Sequence, residues 1–376
     1  MTAAIVAYVC AGWWSLSLLL YVGSVIAAFA QPAALRRRAT RIDQPPVSAI
    51  VPVNRIDAEM ETAFASLFAQ AYPRFEVLVS AADESAPALA VARTVAARHP
   101  RVPFRVVCQD TRVAVSPKLN NLVAPLAAAA HDMIFVKDSS FHLKDHELAA
   151  LVRYAAPGVG LVVAPPIATK PENFAAEIEC SILNGYQARL MLAASVLGIG
   201  IGAGAIMLFD RRDFERAGGV EAIAWAIGED HALAQALGRI GLKTVIAAEE
   251  VTQVLGRRRL ADVWNRQLRW MVWRRQAEPW AFYVEPFAGA LFTALAGAVG
   301  AGVLGAPAAL VAAGTLAVWL ALEAQLVARK GWGWSWRSVP AALCREVMMP
   351  ALWIRAWTVR TIYWGELPFE VGRRPA

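Results

Sequence analysis

VSAIVPVNRIDAEMETAFASLFAQAYPRFEVLVSAADES, residues 47–85, decides the fold. Residues 47–53 form a short β-branched run, residues 58–70 carry apolar side chains at helical spacing, and residues 75–80 read as a second strand that ends at Asp83. Working outward, residues 104–108, 133–136, 160–163, 205–209 and 244–247 supply further short apolar strands. Strands alternating with helical stretches predict an α/β domain built on a doubly wound, mostly parallel sheet, which takes its ligands at the carboxyl ends of its strands. Asp83 and Asp138 both fall just past such ends.

Composition places this domain beside a membrane. The 376 residues leave room for one domain of about 230 to 250 residues plus flanking helices. A hydrophobic share of 57% and a mean hydropathy of +0.43 exceed those of an ordinary soluble domain, while the charged middle excludes a multispan transporter. The net charge of +7 comes largely from arginines that flank apolar stretches: Arg36, Arg37, Arg38 and Arg41, then Arg257, Arg258 and Arg259, then Arg274 and Arg275. That placement favours anionic lipid headgroups as partners, at roughly 1 kcal/mol per basic residue near the surface, and not nucleic acid. Cys10, Cys108, Cys180 and Cys344 have neither disulfide-framework nor zinc spacing.

Residues 1–35 carry no charge and read as a transmembrane helix, with the basic cluster behind it on the cytoplasmic side. Residues 36–280 form the cytosolic domain, and residues 281–330 supply two spans broken near Gly305 and Pro307. Residues 331–376 form an interfacial or re-entrant helix and a cytosolic tail, since Arg345, Glu346, Arg355 and Arg360 are costly in hydrocarbon. This is a multi-pass arrangement in a bacterial-type inner membrane. Residues 190–209 are also uncharged and long enough to span. A span there would put Asp138 and Asp230 on opposite faces of the bilayer, so the repeated glycines at 198, 200, 202 and 204 read as a buried loop leading into a strand.

Five motifs recur in a fixed order: Ser116-Pro117-Lys118-Leu119-Asn120-Asn121-Leu122, Asp138-Ser139-Ser140, the GGxxA run at 218–222, Glu229-Asp230, and RxxRW at 266–270. Together they resemble the ceramide glucosyltransferase family over nearly the whole chain. The resemblance implies a GT-A nucleotide-sugar-binding fold, a UDP-sugar donor, a divalent metal (Mg2+ or Mn2+), inversion at the anomeric carbon and a membrane lipid acceptor such as ceramide, diacylglycerol or a hopanoid. A processive polysaccharide synthase is the first rival, although two or three spans after RxxRW are few for a channel. A catalytically inert membrane scaffold is the second, and the intact acidic set argues against it.

The resemblance and the chemistry of displacement assign the roles. Something must take a proton from the acceptor hydroxyl, and something must absorb charge on the departing UDP. Asp230 resembles the general base, with a helix N-cap aspartate as the alternative. Asp138 meets metal or diphosphate, with Ser140 standing where a second metal-binding carboxylate is usual. Asp83 resembles the nucleoside-binding aspartate and Glu84 competes with it, while Lys118 faces the diphosphate. Arg269, with Arg266, neutralises phosphate charge, and Trp270 stacks on sugar or acceptor. The same Arg- and Trp-rich stretch also reads as an interfacial helix, and the two readings are compatible.

Overall fold

The computed structural model describes residues 2–37, 40–364 and 367–370, so Arg38 of the basic cluster and the basic tail Arg373-Arg374 lie outside the described residues. The chain divides into two compact units. A sheet unit comprises Ala30–Thr169 and Met191–Val254, and a helical unit comprises Met1–Phe29, Lys170–Leu190 and Leu255–Arg373.

Of the twelve strands among the described residues, the first ten follow in the order β1 (Val47–Pro52), β2 (Phe75–Ala81), β3 (Phe104–Cys108), β4 (Met133–Lys137), β5 (Phe141–His142), β6 (Val159–Val163), β7 (Pro166–Pro171), β8 (Ile206–Asp210), β9 (Lys243–Ile246) and β10 (Val251–Gly256), and the last two, Thr361–Trp364 and Leu367–Glu370, pair in a sheet of their own. Seven of them form the main sheet, in the order β3-β2-β1-β4-β8-β6-β9. The β1-β2, β2-β3, β1-β4 and β6-β9 pairs are parallel, and β8 runs antiparallel to both of its neighbours. The sheet is therefore mostly parallel, as read, with one reversed strand in its interior. A second sheet has the order β5-β10-β7.

Strand residues are apolar almost without a break because helices cover both faces. Val47, Ala49 and Val51 enter one core cluster together with Val77 and Val79, whereas Ile50 and Leu78 enter the other. Successive side chains of a strand point to opposite faces, so each strand feeds both clusters. Residues 190–209 do not form a span: the helix Arg189–Val196 gives way to a loop and then to β8.

Among the described residues, two helices are long and apolar enough to cross a bilayer, Ala3–Arg36 and Ala308–Arg329. Ala290–Val303 has 14 residues, or about 21 Å of helix, short of the roughly 30 Å hydrocarbon core. It reaches span length only together with Pro279–Ala288, from which it is bent by 61°. The break near Gly305 has a local cause. Gly305 takes the left-handed conformation at φ +78°, the Ala306 N–H turns back to the Ala301 carbonyl at 2.8 Å, and Pro307 precedes the next helix.

The last long helix, Ser338–Thr358, is not among the candidate spans. It buries Arg345, whose five N–H donors are all used: two reach Glu323 in a forked pair at 2.6 and 2.8 Å, two reach Glu346 at 2.7 and 3.1 Å, and one reaches the Ser181 carbonyl at 2.8 Å.

Candidate functional site

Ser116 caps the helix Pro117–Ala128, its hydroxyl accepting the Leu119 N–H. Each polar residue of that motif fixes something. Asn120 holds the preceding loop through Val113, Ala114 and the Ala114 carbonyl, and Asn121 donates to the Val53 carbonyl beside the end of β1. Lys118 is thereby directed to the strand ends. Its ammonium lies 2.6 Å from Asp138 Oδ1, 3.4 Å from Glu229 Oε1 and 2.5 Å from the Gly204 carbonyl oxygen.

Asp138 leaves β4 with its N–H bonded to the Ala205 carbonyl, which anchors it beside the start of β8. Glu229 is buried and receives the Ser116 hydroxyl at 2.8 Å. Asp230 follows in the first turn of the helix Glu229–Arg239, whose N-cap position is Gly228, so Asp230 is not the capping residue. One of its oxygens accepts the His231 N–H, and a Cβ placed on Gly204 would lie 3.2 Å from the other and 3.1 Å from the Lys118 ammonium. The glycine-rich loop is thus the wall of this cluster, and a side chain at 204 would oblige the tips of Lys118 and Asp230 to give way by a few tenths of an ångström.

Burial raises the pKa of Asp138 and of Glu229, and the Lys118 charge opposes the rise in both. Burial alone would lower Lys118, but Asp138 and Glu229 outweigh it and hold the ammonium above the ordinary lysine value. Next to it, Lys137 is fully buried and burial brings it down to about 7. Asp83 stands at the exposed tip after β2, its pKa lowered by the Ser85 N–H, which bonds its carboxylate at 2.6 Å. The structure thus brings Lys118, Asp138 and Asp230 together and adds Glu229, while Asp83 and Glu84 lie in the loop that follows β2.

Among the described residues, no group of three or more His, Cys, Asp or Glu side chains is placed to hold a metal ion. Ser140 is buried and its hydroxyl accepts the Gln253 amide at 2.8 Å, whereas the Asp138 side chain is 35% exposed. Of the expected pair, Asp138 is the open one. A single carboxylate fits Mg2+ or Mn2+ when phosphate oxygens and water complete the shell, which is the usual arrangement for Mg2+.

The RxxRW residues lie in the helical unit, on the helix Leu260–Ala277. The Arg266 guanidinium pairs with Glu179 at 2.6 Å and stacks over the Trp270 ring at 4.7 Å, a contact that spacing of i, i+4 allows. Glu179, almost fully buried, also faces Arg258 at 3.4 Å. Arg269 donates to the Tyr363 carbonyl at 3.2 Å. The same unit contains a cavity lined by Trp319, Phe292, Trp353, Tyr186, Glu285 and Glu346.

The family model for Glycosyl transferase family 21 matches residues 15–376. Ceramide glucosyltransferase 1 of Caenorhabditis elegans is 24% identical over 335 residues, which cover 87% of this chain and 72% of that protein. The ceramide glucosyltransferase of Komagataella phaffii is 32% identical over 98 residues, 25% of this chain and 19% of that protein. Among solved structures, the mannosyltransferase PcManGT from Pyrobaculum calidifontis, in complex with GDP-Man and Mn2+, aligns over 95% of this chain and 99% of its own length with a TM-score of 0.57 and 19% identity. That likeness concerns the fold.

Proposed function

The chain belongs to glycosyl transferase family 21, and from that premise we propose that it moves a hexose, glucose being the first choice, from a UDP-sugar to the hydroxyl of a membrane lipid such as ceramide or diacylglycerol. The observation that carries this reading is the cluster of Asp138, Lys118, Glu229 and Asp230 at the strand ends, in a chain whose other unit holds apolar helices of membrane-crossing length.

The reaction is a direct displacement with inversion. The acceptor oxygen forms a bond to the anomeric carbon as the bond from that carbon to the diphosphate oxygen breaks. Asp230 takes the hydroxyl proton, and UDP leaves with the electron pair. Lys118 places a cation at the diphosphate, where charge grows in the transition state. Asp83 holds the nucleoside, with Glu84 beside it. Arg266, Arg269 and Trp270 keep the roles the motif implies: guanidinium for phosphate, indole for sugar or acceptor. A Mg2+ or Mn2+ ion would be held by Asp138 and would offset the charge of the leaving group. The lipid side of the acceptor is assigned to the helical unit, whose cavity is lined by aromatic side chains with a few polar groups among them. The catalytic residues face the cytoplasm, with anionic headgroups drawn to the basic clusters.

Lipid mass spectrometry of a host with and without this chain tests the reading, with a new hexosylated lipid expected. Asp230→Asn removes only the proton acceptor, a contribution of about 10²–10⁴-fold, and leaves UDP-sugar binding intact. Undiminished turnover in that variant would remove Asp230 from the mechanism.

A further inference from the structure

Asp138 Oδ1, Glu229 Oε1 and the Gly204 carbonyl oxygen surround the Lys118 ammonium at 2.6, 3.4 and 2.5 Å. Hard oxygens gathered about one small cation are what a magnesium-like ion requires. Here the cation is the chain's own lysine. It is held in place by the Asp138 carboxylate and the Gly204 carbonyl, and its side chain is 10% exposed. Asp230 also acts on this ammonium, so three carboxylates face one fixed positive charge. A diphosphate entering such a site adds more negative charge and needs a further cation. Before it enters, the carboxylates need a screen.

We infer that Lys118 is a placeholder cation, which occupies Asp138 in the donor-free protein, keeps a divalent ion out until a diphosphate brings one, and then passes its hydrogen bond from Asp138 to the diphosphate. Lysine suits the exchange because it is a compact point charge on a flexible stem. It trades one anionic oxygen for another without the planar fork that arginine imposes. The inference rests on the donor reading above and goes beyond it by making metal uptake depend on the donor.

The test measures Mn2+ binding to the full chain in detergent, by the electron paramagnetic resonance signal of free Mn2+, with and without UDP, after subtraction of the Mn2+ that UDP takes up in protein-free samples. Wild type is expected to bind Mn2+ at least tenfold more tightly with UDP than without. Lys118→Met strips the screen from the carboxylates, and without UDP it is expected to bind Mn2+ at least tenfold more tightly than wild type. Equal Mn2+ affinity of wild type with and without UDP overturns the inference, and that arm needs no variant. A folded Lys118→Met, judged by circular dichroism, that shows no gain overturns it as well. Failure of UDP to bind at any Mn2+ concentration sinks the donor reading and the inference together, whereas UDP binding with Mn2+ uptake indifferent to Lys118 sinks the inference alone.

Discussion

Gly202→Ala tests how the glycine loop positions the proposed base. A Cβ at 202 would run first into the carbonyl oxygen of Asp230, and would lie 2.5 Å from its carbonyl carbon and 2.6 Å from the Cα of His231. All are backbone atoms, so no side chain can swing away. Ordinary contact begins at 3.4 Å, so the start of the helix Glu229–Arg239 must retreat by about 1 Å, taking the Asp230 carboxylate with it. A misplacement of about 1 Å costs on the order of 10²-fold in rate, and overpacking of this kind destabilises by about 1–3 kcal/mol. Hexosyl transfer to lipid in isolated membranes should therefore fall by roughly 100-fold, while the protein still folds and binds UDP. Gly238→Ala on the same helix is the control: its Cβ meets nothing within 4 Å, and helix propensity improves by about 0.5–1 kcal/mol. A Gly202→Ala protein that kept more than half of the wild-type rate would refute the argument.

The Arg345 network should be felt in stability. Glu323→Ala strips two of the five donor partners from a buried guanidinium, and breaking a buried pair costs about 3–5 kcal/mol; the thermal midpoint in detergent should fall by several degrees, and an unchanged midpoint would show that Arg345 is solvated. For topology, a single cysteine at Gly305 in a cysteine-free background should react with an impermeant thiol reagent from outside the cell, and one at Lys330 only after permeabilisation. The opposite pattern would reverse the orientation of the chain.

The main-sheet strands were legible in the sequence because each is a short β-branched or apolar run bounded by turn residues, and β3 falls on the residues expected. The direction of β8 was not, since Ile206–Asp210 reads the same either way and only its pairing with Met133–Lys137 reverses it. β5, two residues long, is below any periodic signal, and β10 mixes Thr252 and Gln253 with apolar neighbours. Motif order pointed to Lys118, Asp138 and Asp230, and the sheet brings them together. Two partners escaped notice. Glu229 was visible beside Asp230, but its bond to Ser116 spans 113 positions, and Glu179 meets Arg266 from 87 positions away. No local pattern encodes such distances. The Gly305 turn, by contrast, was readable because Gly and Pro there serve the chain locally.

The saturation of Arg345 also constrains how the protein is made. An unpaired guanidinium would cost about 2.5–3.5 kcal/mol in hydrocarbon, and the forked partner that offsets that cost, Glu323, belongs to the preceding helix. Synthesis delivers Ala308–Arg329 first, so Ser338–Thr358 emerges when its counter-charge is already in place. Docking of this last long helix is then a closing step in biogenesis. A chain that stops before residue 338 lacks Arg345, and Glu323 is then left without its forked partner.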